Sequence, residues 1–170
     1  MAMSITSASE LSAPAANPID LVEEIVAANE WAHERASDEE MFVEIGGRWC
    51  DYRLFFVWQP EMNALLFSCG FEMKVPRNRR SPVFELLSLV NEKLWLGHFD
   101  LAGDSSQPSF RHALLLRGSL GASVEQVEDL VDAALTECER FYPAFQFVVW
   151  GGKAPAEALT AAMIDPVGEA

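Results

Sequence analysis

The sequence predicts an α+β fold in which an antiparallel sheet carries helices on one face. Three observations predict it. Segments with alternating apolar residues come in two groups, within residues 31–73 and 98–118. A strongly apolar helical segment lies between the groups, and nowhere do strands and helices alternate as they do in βαβ units. We therefore expect a sheet of about five to six strands and no parallel crossovers.

The first element is predicted to be a helix from about Pro18 to Ala28. Asn17 is suited to cap it, and Pro18 fits the first helical position. Apolar residues recur at helical spacing at Ile19, Val22, Ile25 and Val26. This stripe is expected to face the core.

An antiparallel meander is predicted next. Residues 31–36, residues 41–45, the segment WCDYRLFFVW and the segment ALLFSCGFEM have the composition and alternation of strands. Gly46-Gly47 is expected to form a two-residue hairpin turn, because both positions tolerate positive φ. One face of the meander is then committed to the core.

The central helix is predicted to begin at Ser81-Pro82 and to stop at Gly97. Its apolar positions are Val83, Phe84, Leu86, Leu87, Leu89, Val90, Leu94, Trp95 and Leu96. They cover more than the single stripe of a surface helix. A second cover is therefore expected, and another copy of the chain would provide it.

Two strands, residues 98–102 and 109–118, and two helices complete the prediction. SVEQ at residues 123–126 has the pattern of a capping box and starts the third helix, which Pro143 is expected to kink or restart. Pro155 is expected to begin a short tail helix that ends at Met163. Residues 1–16 are predicted to be a disordered leader, and residues 17–170 a single domain.

Charge narrows the classes of partner. The chain has 26 acidic and 12 basic residues and a net charge of -14. This argues against nucleic acid and against an anionic membrane, since both require a basic surface. Residues 19–46 hold nine acids and one base, and residues 123–139 hold six acids and no base. These acidic segments serve either solubility or the attraction of a basic partner chain.

The residue patterns of common catalytic and metal sites are not found. Gly151-Gly152-Lys153 lacks the spacing of a phosphate-binding loop, so these glycines are predicted to end a helix. His33, His98 and His112 have no histidine three or four residues away, and the three cysteines are expected to pack as small hydrophobes. We therefore predict no catalytic residue, no metal and no cofactor. The odd number of cysteines favours a reducing cytoplasm.

One basic segment stands out in this acidic chain. Lys74, Arg77, Arg79 and Arg80 precede the start of the central helix, where the helix dipole is already positive. They form either a site for an anion or an acidic partner, or a set of ion pairs with the chain's own acids, in the same or another subunit.

Three stretches resemble a known family, namely FVEIGGRWCDYRLFF, the basic-to-helix junction FEMKVPRNRRSPVFELLSLVNEKLWLGHF, and YPAFQFVVWGGKAPAEAL. They resemble the YbjN family of bacterial proteins, over about residues 17–169. The resemblance implies a fold like that of type III secretion chaperones, which are acidic cytoplasmic homodimers without catalytic activity. It also implies dimer and core contacts through the central helix, for which we name Phe84, Leu87, Val90, Leu94 and Trp95.

These inferences give a leading hypothesis and two others. The leading hypothesis is a non-enzymatic homodimer that binds another protein in a chaperone-like or regulatory role. The alternative is a sensor of a small molecule or anion that uses the basic segment. A hydrolase with a dispersed active site is the third.

Overall fold

The computed structural model describes residues 14–164. Its helices and strands are α1 (Ile19–Ala28), β1 (Ala32–Arg35), β2 (Glu40–Gly46), β3 (Asp51–Gln59), β4 (Ala64–Gly70), α2 (Arg80–Asn91), β5 (His98–Asp100), β6 (Ser109–Leu115), α3 (Val124–Val149) and α4 (Pro155–Met163). This element order confirms the predicted α+β class. Residues 1–13 of the predicted leader, which spans residues 1–16, lie outside the described residues. Within residues 14–164, no helix has the length and apolar character needed to cross a membrane.

The six strands form one antiparallel sheet in the order β1-β2-β3-β4-β6-β5. Successive side chains of a strand point to opposite faces. We call the face that packs on the helices the covered face and the other the open face. Buried on the covered face are Met41, Val43, Tyr52, Leu54, Phe56, Leu65, Phe67, Cys69 and Phe110.

The helices cover the sheet from β1 to β5. Helix α1 contacts β1, β2 and β3, α3 contacts β4, and α2 contacts β5, while α4 packs on α2 and α3. Their buried side chains join those of the covered face in one core. Helix α1 begins one residue later than predicted, with Pro18 at the N-cap, and the Oδ1 of Asn17 accepts the N–H of Ile19 at 2.9 Å.

The turn between β2 and β3 differs from the prediction. Gly46 pairs with Asp51, so four residues, Gly47 to Cys50, connect the strands, and the Gly47 N–H bonds the Cys50 carbonyl at 2.9 Å. Neither Gly46 nor Gly47 has positive φ. The turn is longer because it docks on α3: Glu139 Oε1 accepts the Arg48 N–H at 2.7 Å.

Helix α3 continues through Pro143, so the expected restart of the helix is wrong. A proline inside a helix lacks the N–H that would bond the carbonyl four residues earlier, here that of Glu139. Trp49 Nε1 donates to that carbonyl at 3.1 Å. A side chain of the β2–β3 turn thus replaces the missing helical hydrogen bond. The predicted capping box of α3 is confirmed, with Ser123 and Gln126 bonded in both directions.

Helix α2 ends at Asn91, five residues before the predicted end. The Asn91 side chain bonds the backbone of Phe99 twice, since its Oδ1 accepts the Phe99 N–H at 2.7 Å and its Nδ2 donates to the Phe99 carbonyl at 3.1 Å. The amide thereby occupies the outer edge of β5, where a further strand would otherwise pair. Leu94 and Trp95 follow the helix rather than belonging to it.

Candidate functional surfaces

The open face of the sheet carries a continuous row of apolar side chains, which we call the apolar row. Its members are Phe42, Phe55, Val57, Leu66, Ala113 and Leu115. Each member lies directly opposite the next on the adjacent strand or two residues along the same strand. The ring centroids of Phe42 and Phe55 are 5.0 Å apart. Phe55 is 46% exposed and Leu115 80%, so the row is open to a partner.

Carboxylates flank the apolar row along β1 and β2. We call Glu34, Glu40 and Glu44 the acidic margin. Glu34 lies opposite Phe42, and Glu40 lies opposite Val57, so both adjoin members of the row. Glu44 lies opposite Arg53. All three acids are exposed, and none forms an ion pair with a residue in the range 14–164.

The other side of the row is closer to neutral. Arg111 on β6 pairs with Asp100 on β5, with 3.1 Å between Nη1 and Oδ2. Within residues 14–164, the acids of the open face that have no ion pair therefore lie on the β1–β2 side, where Arg53 of β3 lies opposite Glu44.

The predicted dimer and core contacts separate into two groups. Leu87 and Val90 are buried in the protein's own core. Phe84 is 49% exposed, Trp95 is 77% exposed, and Leu94 is half-buried against the core. The exposed members lie on or just after α2, at the β5 end of the sheet.

Two of the four predicted basic-site residues, Arg80 and Arg79, lie against other segments of the chain. The Arg80 guanidinium donates to the carbonyls of Ser105 and Ala102 at 2.7 and 2.9 Å, so it holds the loop between β5 and β6. The Arg79 guanidinium lies over Gly152, where any added side chain would meet Nη2 at 3.1 Å. The segments KVPRNRR and GGK are therefore in contact. The sequence alone gave no indication that these two segments meet.

Lys74, Arg77 and Arg79 form no ion pair with the described part of the chain. Lys153 Nζ lies 5.9 Å from the centroid of the Phe147 ring. Trp150, which precedes the two glycines, is 60% exposed. Basic residues that form no ion pair within residues 14–164 thus lie just before the start of α2 and just after the end of α3, in an otherwise acidic molecule.

The three thiols lie in or near the core, and two of them have raised pKa values. Cys69 and Cys138 are buried with their Sγ atoms 3.8 Å apart, as predicted for small hydrophobes, whereas Cys50 is only half-buried. Burial raises the pKa of the Cys138 and Cys50 thiols. It also raises the pKa of Tyr142 to about 12. These groups are held protonated, and a protonated thiol does not attack substrates.

Among residues 14–164, no set of His, Cys, Asp and Glu side chains converges into a group able to hold a metal ion.

Sequence reasoning missed the apolar row, although one signal was present. The segment Leu54 to Trp58 has no polar residue, and an uninterrupted run is typical of a strand that is buried on both faces. In a sheet with helices on one face only, such a run leaves large apolar side chains on the other.

Comparisons with known proteins identify a family and a solved structure that this chain resembles. The family model for YbjN, described as "Putative bacterial sensory transduction regulator", matches residues 18–147. A crystal structure of YbjN from E. coli, a putative transcription regulator, is similar with a TM-score of 0.51 and 13% sequence identity, over 85% of this chain and 91% of that one. The chain matches no curated protein. With most of its length matched by the family model, the chain belongs to the YbjN family.

Proposed function

We propose that this protein acts as a homodimer that regulates or protects another protein by binding it, without catalysing a reaction. The observation that carries the dimer is the exposure of Phe84 and Trp95 beside the β5 edge of the sheet. Single exposed aliphatic residues are common on monomers, but exposed aromatic residues are enriched at interfaces. Burying one such side chain contributes roughly 1.5–3 kcal/mol.

The α2 surface is suited to helix packing rather than to strand pairing. The Asn91 amide already occupies the backbone groups of Phe99 that point away from β6. A second copy would therefore dock through side chains of α2 and of the segment after it, and would not extend the sheet at β5.

Binding rather than catalysis is supported by the chemistry of the core. Cys138 and Tyr142 have raised pKa values because they are desolvated. Their environment stabilises the protonated forms, whereas nucleophiles require environments that favour the deprotonated form.

Light scattering on the purified protein at micromolar concentration tests the dimer. We expect twice the monomer mass, and a shift to monomer for the double variant Phe84→Ser/Trp95→Ser. Leu120→Ser is the matched control, because Leu120 is exposed in a turn before α3 and should leave the mass unchanged. A monomeric parent protein would refute the homodimer.

A sensor of small anions is the second candidate, and the contact between Arg79 and Gly152 favours it. Arg79, Arg77 and Lys74 are without a carboxylate partner in residues 14–164, although acids outnumber bases about twofold in the chain. Thermal unfolding with inorganic phosphate or pyrophosphate tests this candidate. The expected result is a rise in Tm that is lost in Arg79→Gln and retained in Arg48→Gln. No rise in the parent protein would reject the anion site.

A further inference from the structure

The geometry points to the open face as the docking site for an amphipathic helix of a partner protein that carries basic residues along one side. The apolar row would receive the apolar stripe of this helix, and the acidic margin would receive its Lys and Arg residues. This inference rests on the proposed function, because it names the surface and the partner chemistry of the protein binding proposed above.

The length of the apolar row matches a short helix. From Phe42 to Leu115 the row crosses three steps between adjacent strands and two steps of two residues along a strand. With strands about 4.8 Å apart and a rise of about 3.3 Å per residue, the diagonal is roughly 20 Å. A helix that rises 1.5 Å per residue covers this distance in about 13 residues.

A helix suits the open face better than an extended chain does. The face presents side chains, while the backbone groups of β2, β3, β4 and β6 are already used in pairing along the sheet. An extended segment laid across this face would leave its own N–H and C=O groups without partners in the buried contact. A helix satisfies its backbone internally and offers an apolar stripe to the row.

The charge around the apolar row indicates which charge the partner helix carries. Glu34 and Glu40 directly adjoin members of the apolar row, and Asp38 and Glu39 extend the negative charge into the turn before β2. On the other side, Arg111 is neutralised by Asp100. A basic flank along one side of the partner helix is therefore attracted, and an acidic one is repelled. A second copy of this chain, with a net charge of -14, is a poorer match than a basic partner.

A synthetic peptide of 14 residues serves as the probe, built from Leu, Ala and Lys with leucines at positions i, i+3, i+4 and i+7. Two control peptides keep the length. One replaces each Lys by Glu, and the other keeps the composition but removes the helical spacing of the leucines. Fluorescence anisotropy of labelled peptide with the full-length protein gives Kd. We expect the basic periodic peptide to bind at least about tenfold more tightly than either control, and equal affinities would overturn the inference.

Variants of the protein locate the binding surface. The double variant Phe55→Thr/Leu115→Thr removes exposed apolar groups while it keeps residues that favour strands, and we expect roughly tenfold weaker binding. Glu34→Gln/Glu40→Gln is expected to weaken binding severalfold at low salt and less at high salt. The matched control Glu125→Gln/Asp129→Asn removes the same charge from exposed positions of α3. A loss as large in this control would show general attraction to an acidic protein and would overturn the site. Circular dichroism verifies that each variant is folded.

Two other occupants give different results. Ala15 bonds Asn63, next to Ala64, which lies opposite Leu115, so residues 1–13 precede a point beside the apolar row. Peptide binding by the full-length variant Ile5→Ser/Leu11→Ser but not by the parent protein would make this segment the occupant. A dimer that dissociates in Phe55→Thr/Leu115→Thr would make it a second copy. If a natural partner still binds that variant, the proposed function stands and the inference about the open face falls.

Discussion

The two faces of the sheet carry almost the same aromatic pair in different surroundings. On the covered face, the ring centroids of Phe56 and Phe67 are 5.0 Å apart with an interplanar angle of 58°. On the open face, Phe42 and Phe55 are also 5.0 Å apart, at 57°. Phe56 is 1% exposed and Phe55 46%, although they are consecutive residues of β3. The covered pair belongs to the folded core, whereas the open pair is only partly desolvated and remains accessible to a partner.

The largest expected effect is a difference in the free energy of unfolding when one phenylalanine of each pair is replaced by alanine. Phe56→Ala leaves a cavity in a packed core and should lower the free energy of unfolding by about 3–5 kcal/mol. Phe55→Ala loses mainly the contact with Phe42 and should cost about 1 kcal/mol. Urea unfolding of both variants measures the difference. Equal costs would show that the open face is packed as tightly as the covered one.

The next effect concerns the turn that joins the covered face to its helix. A methyl group at Gly47 would overlap the ring of Tyr52 and the carboxylate of Glu139. We expect Gly47→Ala to lower the free energy of unfolding by about 1–3 kcal/mol, because the turn must move away from α3. Gly103→Ala is the control, since nothing lies within 4 Å of an added methyl group there. A neutral Gly47→Ala would mean that the turn is free of α3.

A smaller effect concerns the carbonyl that Pro143 leaves without a helical donor. Trp49→Phe removes the donor to the Glu139 carbonyl and should cost about 1 kcal/mol. In a Pro143→Ala background the helix provides its own N–H to that carbonyl, so the same substitution should cost less. A double-mutant cycle by thermal or urea unfolding measures the coupling. Additive costs would show that Trp49 stabilises the turn by packing alone.

The smallest effect is a pH dependence at one end of the covered face. Burial, and then the neighbouring His98, lower the pKa of His112. As the pH falls below about 6.5, the unfolded chain takes up this proton before the folded protein does, so stability decreases. His112→Gln should therefore lose less stability than the parent protein between pH 7.5 and 5.5. His33→Gln is the matched control, because it removes a histidine from an exposed position of β1. A parallel decrease in His112→Gln would contradict this.

The fold could be predicted from the sequence wherever the signal was local. The stripe of Ile19, Val22 and Val26 located α1, the pattern SVEQ located the start of α3, and Pro155 located the start of α4. The end of α2 could not be predicted in this way, because it depends on the Asn91 side chain bonding the backbone of Phe99. The length of the β2–β3 turn likewise depends on Glu139, about 90 residues later.

The candidate surfaces were predicted less completely than the fold. Phe84 and Trp95 were named from the sequence and are exposed, and Arg79 was named without its contact with Gly152. The apolar row was not named. An exposed apolar residue and a buried one have the same identity in the sequence, so only the position of the helices shows which side is left uncovered.

The sequence by itself determined the element order, the antiparallel class, the acidic charge and the family. It did so because the periodicities of 3.6 and 2 residues, the capping residues and the composition are local properties. Only the tertiary structure decided which apolar set of β3 packs on the helices and which remains open. An alternation of period two divides a strand into two faces, but when both faces are apolar it does not say which one the helices will cover.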